Sequence, residues 1–226
     1  MNQPEHQRRA YLEALGIDVW VPRDEAGAQS EDVAEADAHS DVLTWDDLRA
    51  AVAACTNCSL HTSRTQTVFG VGDPQADWMI IGEAPGAEED RRGEPFVGRA
   101  GKLLDEMLRA VGRSRDRVFI ANILKCRPPN NRDPKAEESA ACRGYLQRQI
   151  ELIEPKIILA VGRIAAQLLL ETDEPVGRLR GSRHQLGDTP LVVTYHPAYL
   201  LRSPSQKRKA WDDLCLATRL MREASI

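Results

Sequence analysis

Three side chains stand where they could do chemistry. Glu83 is a carboxylate inside Gly82-Glu83-Ala84-Pro85-Gly86, Asn122 is an amide ahead of Ile123-Leu124-Lys125-Cys126, and His196 is an imidazole ahead of Pro197. Each follows a short apolar run: Asp77–Ile81, Arg117–Ala121 and Leu191–Thr194. If these runs are parallel strands of one sheet, their carboxyl ends deliver all three groups to one edge, where open α/β folds bind ligands. The two glycines and the proline turn the backbone sharply where Glu83 is presented. The loop continues through Glu88, Glu89, Asp90 and Glu94 to Pro95-Phe96-Val97-Gly98. Gly-x-x-x-Gly alone is weak, and an ordinary acidic loop would read the same way.

Cysteines form a second group. Cys55 and Cys58 make a C-x-x-C, while Cys126 and Cys142 lie downstream with fifteen residues between them. Four such thiols suggest a metal site. A second C-x-x-C would be the more usual zinc knuckle, and irregular spacing with Pro128-Pro129 soon after Cys126 suits an iron–sulfur cluster equally. Cluster, zinc and no metal all stay open on spacing. Cys215, within an apolar helical run, reads as a buried small hydrophobe.

The elements that must position these groups alternate. Thr44 and Asp47 begin a helix over Trp45–Ala54 with a capping-box pattern. Strand Asp77–Ile81 leads to helix Ala100–Val111, strand Arg117–Ala121 to helix Pro134–Ile153, and strand Lys156–Val161 to helix Arg163–Glu171. A basic, glycine-rich stretch at 177–187 then precedes strand Leu191–Thr194 and a closing helix from about Gln206 to Arg222. Short apolar strands separated by helices predict a parallel sheet covered on both faces.

The chain has 226 residues, 42% hydrophobic and 28% charged, which suits a water-soluble globular protein. No apolar run is long enough to span a bilayer, and no secretory apolar core follows the N-terminus, so the expected location is the cytoplasm. The net charge of −4 is unevenly spread. Residues 1–50 hold 12 acidic and 4 basic residues; of the totals of 34 and 30, the rest of the chain keeps 22 and 26, a net of +4. That mild basicity permits phosphate contacts without demonstrating them.

Three segments together resemble the family 4 uracil-DNA glycosylases: Gly82–Gly86 with its continuation to Gly98, Asn122–Arg132, and His196-Pro197-Ala198-Tyr199-Leu200-Leu201-Arg202. The cysteine positions match as well. The resemblance covers roughly residues 44–226 and implies a three-layer α/β/α sandwich with a central four-stranded parallel sheet. It implies a monofunctional enzyme that flips uracil out of DNA and hydrolyses the N-glycosidic bond, leaving an abasic site for base excision repair. Capture of uracil-DNA without turnover is the alternative; the branch that does so carries a histidine in an extra basic loop, and residues 127–134 hold neither.

On this resemblance, Glu83 and His196 are the catalytic residues. Uracil would be bound by Glu83, Ala84, Glu89, Phe96, Asn122 and His196. Ala84 stands where other branches place an aspartate, so the base assignment stays open. Asn131, Leu200, Leu201, Arg202 and Ser203 would contact DNA, the leucines as a wedge into the vacated stack. Cys55, Cys58, Cys126 and Cys142 would hold a 4Fe-4S cluster.

Residues 1–43 form a predicted extension: a short apolar peptide at 8–23 and an acidic linker at 24–43. Leu15-Gly16-Ile17-x-x-Trp20-x-x-Arg23 is similar to the N-terminal peptide of the bacterial clamp-loader psi subunit. It reads either as a docking element for a replication or repair protein or as a segment that packs on its own domain. The partners expected are uracil-containing DNA and no membrane, and the protein is expected to be a monomer.

Overall fold

The computed structural model describes residues 44–223, so the expected extension at 1–43, with its docking peptide at 8–23, lies outside the described residues. The described chain opens with α1 (Trp45–Ala54), whose start carries the capping box: Thr44 Oγ1 accepts from Asp47 N–H, and the Asp47 carboxylate accepts from Thr44 N–H. Next come β1 (Val71–Gly72), β2 (Trp78–Gly82), α2 (Ala87–Arg92), α3 (Arg99–Ala110), β3 (Phe119–Asn122) and α4 (Ala136–Ile153). β4 (Ile157–Val161), α5 (Arg163–Leu170), α6 (Val176–Leu179), β5 (Arg183–Leu186), β6 (Thr189–Thr194), α7 (Pro197–Arg202) and α8 (Lys207–Glu223) follow.

The strands form one sheet in the order β1-β3-β2-β4-β6-β5. The inner four are parallel, with Ile80 opposite Ile120 on one side and Leu159 on the other, and Leu159 opposite Val192. β2 passes its chain to β3 on one side while β4 passes its chain to β6 on the other. The sheet's switch point therefore lies between the carboxyl ends of β2 and β4.

Side chains of the inner strands are buried on both faces, as near-continuous apolar runs require. Met79, Ile81, Ala121, Ile158 and Val193 face Leu48 and Val52 of α1, Leu146 and Ile150 of α4, and Ala165 and Ala166 of α5. Trp78, Ile80, Ile120, Leu159 and Val192 face Leu104 and Leu108 of α3 and Leu214, Ala217 and Leu220 of α8. The result is three layers, each fully buried large side chain contributing about 1.5–3 kcal/mol.

The four parallel strands expected are present, as the centre of a larger mixed sheet. β1 and β5 add antiparallel edges. β1 is only two residues long, too short to leave a periodic signal. β5 lies in the basic, glycine-rich stretch, where the sequence pattern marked no strand: its side chains alternate between exposed and half-buried, so it lacks the apolar run that marks an inner strand. Leu186 pairs with Thr189 across Gly187-Asp188, with Gly187 at φ +58°, a two-residue hairpin that glycine permits. Cys215 is half-buried rather than buried. No helix among the described residues is long and apolar enough to cross a membrane.

Candidate active site

The carboxyl ends of β2, β3 and β6 open into a cleft of about 510 Å³. Glu83, Ala84, Glu89, Phe96, Asn122 and His196 all line it, as do Asn131 and Arg202. Six predicted base-contacting residues from three separate segments are thus brought together. Glu83, Asn122 and His196 are delivered because an apolar strand ends where the polar residue begins.

Asn122, the last residue of β3, is 2% exposed, and its Oδ1 has no hydrogen-bond partner among the described residues. A buried acceptor left unpaired is costly unless a ligand completes it. Gly82 makes the space: a Cβ there would lie 2.4 Å from Asn122 Oδ1 and 2.7 Å from Phe96 Cζ. Behind the strand end, Lys125 Nζ donates to Asn122 O at 2.8 Å and to Gln149 Oε1 at 2.6 Å, and Gln149 Nε2 donates to Phe69 O. Burial pushes the Lys125 ammonium down to about 7. These buried partners fix the backbone that presents the amide.

His196 caps α7, its Nδ1 accepting from Ala198 N–H at 3.1 Å. The accepting nitrogen carries no proton, so Nε2–H is the donor available to the cleft. Burial holds the imidazole down at about 4, reinforced by Arg202 and opposed by Glu89, so the ring is neutral near pH 7. The Phe96 and His196 rings stack with centroids 5.6 Å apart and planes 29° from parallel. The segment leading to His196 is itself anchored: Thr194 Oγ1 donates to Asp213 Oδ2 at 2.9 Å, and Arg180 grips both Asp213 oxygens at 2.7 and 3.0 Å.

Glu83 is pushed up to about 6, first by burial and then by Asp133, with Arg163 opposing. Arg163 begins α5 and pairs with Asp133 at 2.6 Å. Sequence reasoning took Arg163 only as a helix start and did not single out Asp133 or Lys125. Their signal was proximity to the motifs; their partners lie 30 and 24 residues away. Glu89 is no solvated loop carboxylate: Oε1 accepts from Val97 N–H at 3.1 Å and Gly98 N–H at 3.3 Å, at the start of α3.

The apolar tip is divided. Leu200, expected to wedge into DNA, is 1% exposed and packs into the core with α3 and α8, so it cannot reach a duplex without unpacking. Leu201, one residue on, turns about 100° around α7 and is exposed. Phe96 is buried against the core while its ring still lines the cleft.

All four predicted cysteines line one separate pocket. They are free thiols, and Arg64 Nη1 donates to Cys126 Sγ at 3.0 Å. Burial, with the other thiols nearby, pushes Cys142 up to about 11. Among the described residues no group of three or more His, Cys, Asp or Glu is arranged to hold a metal ion. The donor set itself fits a thiolate-ligated group, being all sulfur and beside the Arg64 guanidinium.

Residues 69–215 match the model of the Uracil DNA glycosylase superfamily. The Type-4 uracil-DNA glycosylase of Archaeoglobus fulgidus is 42% identical over 176 residues, 74% of this chain and 88% of the relative. That of Thermotoga maritima is 46% identical over 158 residues, 69% and 82% of the two chains. A Type-5 uracil-DNA glycosylase of Thermus thermophilus is more distant, 35% identical over 118 residues, 46% and 53%. The match to the Type-4 proteins spans most of their length, the superfamily match at 69–215 includes the β2, β3 and β6 loops that build the cleft, and the chain belongs to the Type-4 uracil-DNA glycosylase family.

Proposed function

We propose that this protein excises uracil from DNA by hydrolysing the N-glycosidic bond, leaving an abasic site. The observation that carries this is the unpaired Asn122 Oδ1 in a cleft that the Phe96 ring and a neutral His196 also line. An amide offers an acceptor to uracil N3–H and a donor to O4; cytosine presents the opposite pattern and is rejected. The extruded base stacks on Phe96, worth about 1–3 kcal/mol in comparable sites. As the bond breaks, negative charge collects on the departing uracil, and His196 Nε2–H donates to O2. A preorganised donor of that kind is worth about 10²–10³ in rate. Glu83, as the carboxylate, orients the water whose oxygen joins the sugar carbon and opposes the positive charge growing there. Glu89, held by the amides of Val97 and Gly98, crowds the C5 edge and excludes the thymine methyl.

Asn131, Leu201, Arg202 and Ser203 border the cleft mouth or its following turn and serve as the DNA contacts. Cys55, Cys58, Cys126 and Cys142 would hold a 4Fe-4S cluster. Bound there, that cluster supplies a structural tie rather than electrons, because base hydrolysis has no redox step. Cys126 is four residues beyond Asn122, so the same tie steadies the reading loop. Residues 44–226 act as the monomeric catalytic unit, and residues 8–23 dock a replication or repair partner; unchanged partner binding after deletion of residues 1–40 would remove that last role.

The test is a single-uracil DNA strand incubated with the protein, treated with hot alkali and sized on a gel, beside Asn122→Ala and a thymine strand. Cleavage by the parent alone, on uracil alone, is the expected result. Tight uracil-DNA binding without cleavage would replace excision by capture, and neither would overturn both.

A further inference from the structure

Phe96 does not hold its place by itself. Its φ is +54°, the left-handed region that side chains with a Cβ avoid, and it has proline before it. What over-determines this conformation is a residue nineteen positions away. Arg115 Nη1 donates to Phe96 O at 3.3 Å and Nη2 donates to Pro95 O, so one guanidinium takes both carbonyls around the strained residue. The same group is fixed by Glu94 at 3.1–3.2 Å and by Asp105 of α3 at 3.2 Å. On the opposite side a Cβ at Gly101 would sit 1.6 Å from Phe96 O, so α3 closes the space behind the loop.

Arg115 also opens the short helical turn, Arg115–Arg117, that leads into β3, the strand ending at Asn122. Its side-chain contacts, however, go to the loop that carries the ring, while Asn122 is held by Lys125. The planar fork is what permits two carbonyls and two carboxylates at once; a lysine ammonium is a point charge that cannot span them. We infer that Arg115 is a positioning residue for base recognition, acting through Phe96. This rests on the reading of Phe96 as the stacking surface for uracil.

A double-mutant cycle tests it. Arg115→Met in the full-length protein should lower kcat/KM on a single-uracil strand by about 10- to 100-fold, the size of lost hydrogen bonds to a charged group, and weaken inhibition by free uracil in step. Arg115→Lys should recover only part. On a Phe96→Ala background, Arg115→Met should change kcat/KM by less than about twofold, because the ring it positions is gone. The same factor in both backgrounds, or an unchanged kcat/KM in a folded Arg115→Met protein, overturns the inference. Should Arg115→Met fail to fold, Arg115→Lys run through the same cycle decides it by the same criterion. A parent that excises no uracil overturns the functional reading and the inference with it, whereas an active parent with independent losses overturns Arg115's role alone.

Discussion

If Glu83 works as the carboxylate, the acid limb of the pH–rate profile should be its titration. With its carboxyl at about 6, about nine molecules in ten carry the charge at pH 7 and about one in ten at pH 5. If the carboxylate is the working form, kcat/KM at low substrate should fall about tenfold between those pH values. An unperturbed glutamate would give less than about a 1.5-fold change over that range. His196, at about 4, stays neutral through this window and adds a second loss only below it. The causes give a finer check. Asp133→Asn removes a charge that raises Glu83 and frees Arg163, so the midpoint should move down; Arg163→Met should move it up. The assay is initial excision rate on a single-uracil strand at fixed ionic strength, since DNA affinity falls with salt. A midpoint below 5, or the same limb in Glu83→Gln, refutes the assignment. Stability carries the opposite sign for this group: its folded value lies above its unfolded one, so its contribution declines as pH rises from about 4.5 to about 6. The contribution of His196, whose value is depressed, declines as pH falls from about 6.5 towards 4.

Gly82→Ala should push Asn122 or the Phe96 ring out of place, as its Cβ would lie within 3 Å of both. Overpacking of about 1–3 kcal/mol translates to roughly a five- to 150-fold loss of kcat/KM, and activity within twofold of the parent would show that the cleft floor gives way freely. Leu200→Ala should destabilise by about 2–5 kcal/mol in a denaturant melt, while Leu201→Ala should move stability by less than about 0.5 kcal/mol and weaken binding to abasic-site DNA. Equal melts for the two variants would contradict their opposite exposure. Cys126→Ser should lower both iron content and melting temperature, and iron content equal to the parent's would remove this thiol from the ligand set.

Much of the site was legible in the chain because its parts are local. Glu83, Asn122 and His196 each stand at the end of an apolar strand, and Glu83 and His196 are framed by Gly or Pro, so residue type and position could be read together. The parallel inner strands announce themselves because burial on both faces leaves unbroken apolar runs such as Trp78-Met79-Ile80-Ile81. β1 and β5 were not legible, since an edge strand need bury little and β1 has two residues. Leu200 and Leu201 were indistinguishable by composition; which of two adjacent leucines points inward depends on the rotation of α7 against α3.

By itself, then, the sequence determined the alternating strands and helices, the capping box at Thr44, the four thiols, and the identity of the groups delivered to the sheet edge. Only the tertiary structure decided their chemical state. Glu83 rises and His196 falls because burial penalises the charged form of each, the tautomer of His196 follows from one backbone amide, and the Asn122 carbonyl is left open because Gly82 has no Cβ. Phe96 is held by Arg115, and Asn122 by a lysine that reaches Gln149 on another element. Such contacts join residues about twenty or more positions apart, and sequence periodicity records only local alternation; the distances and the excluded water that set these energies exist only once the chain has closed on itself.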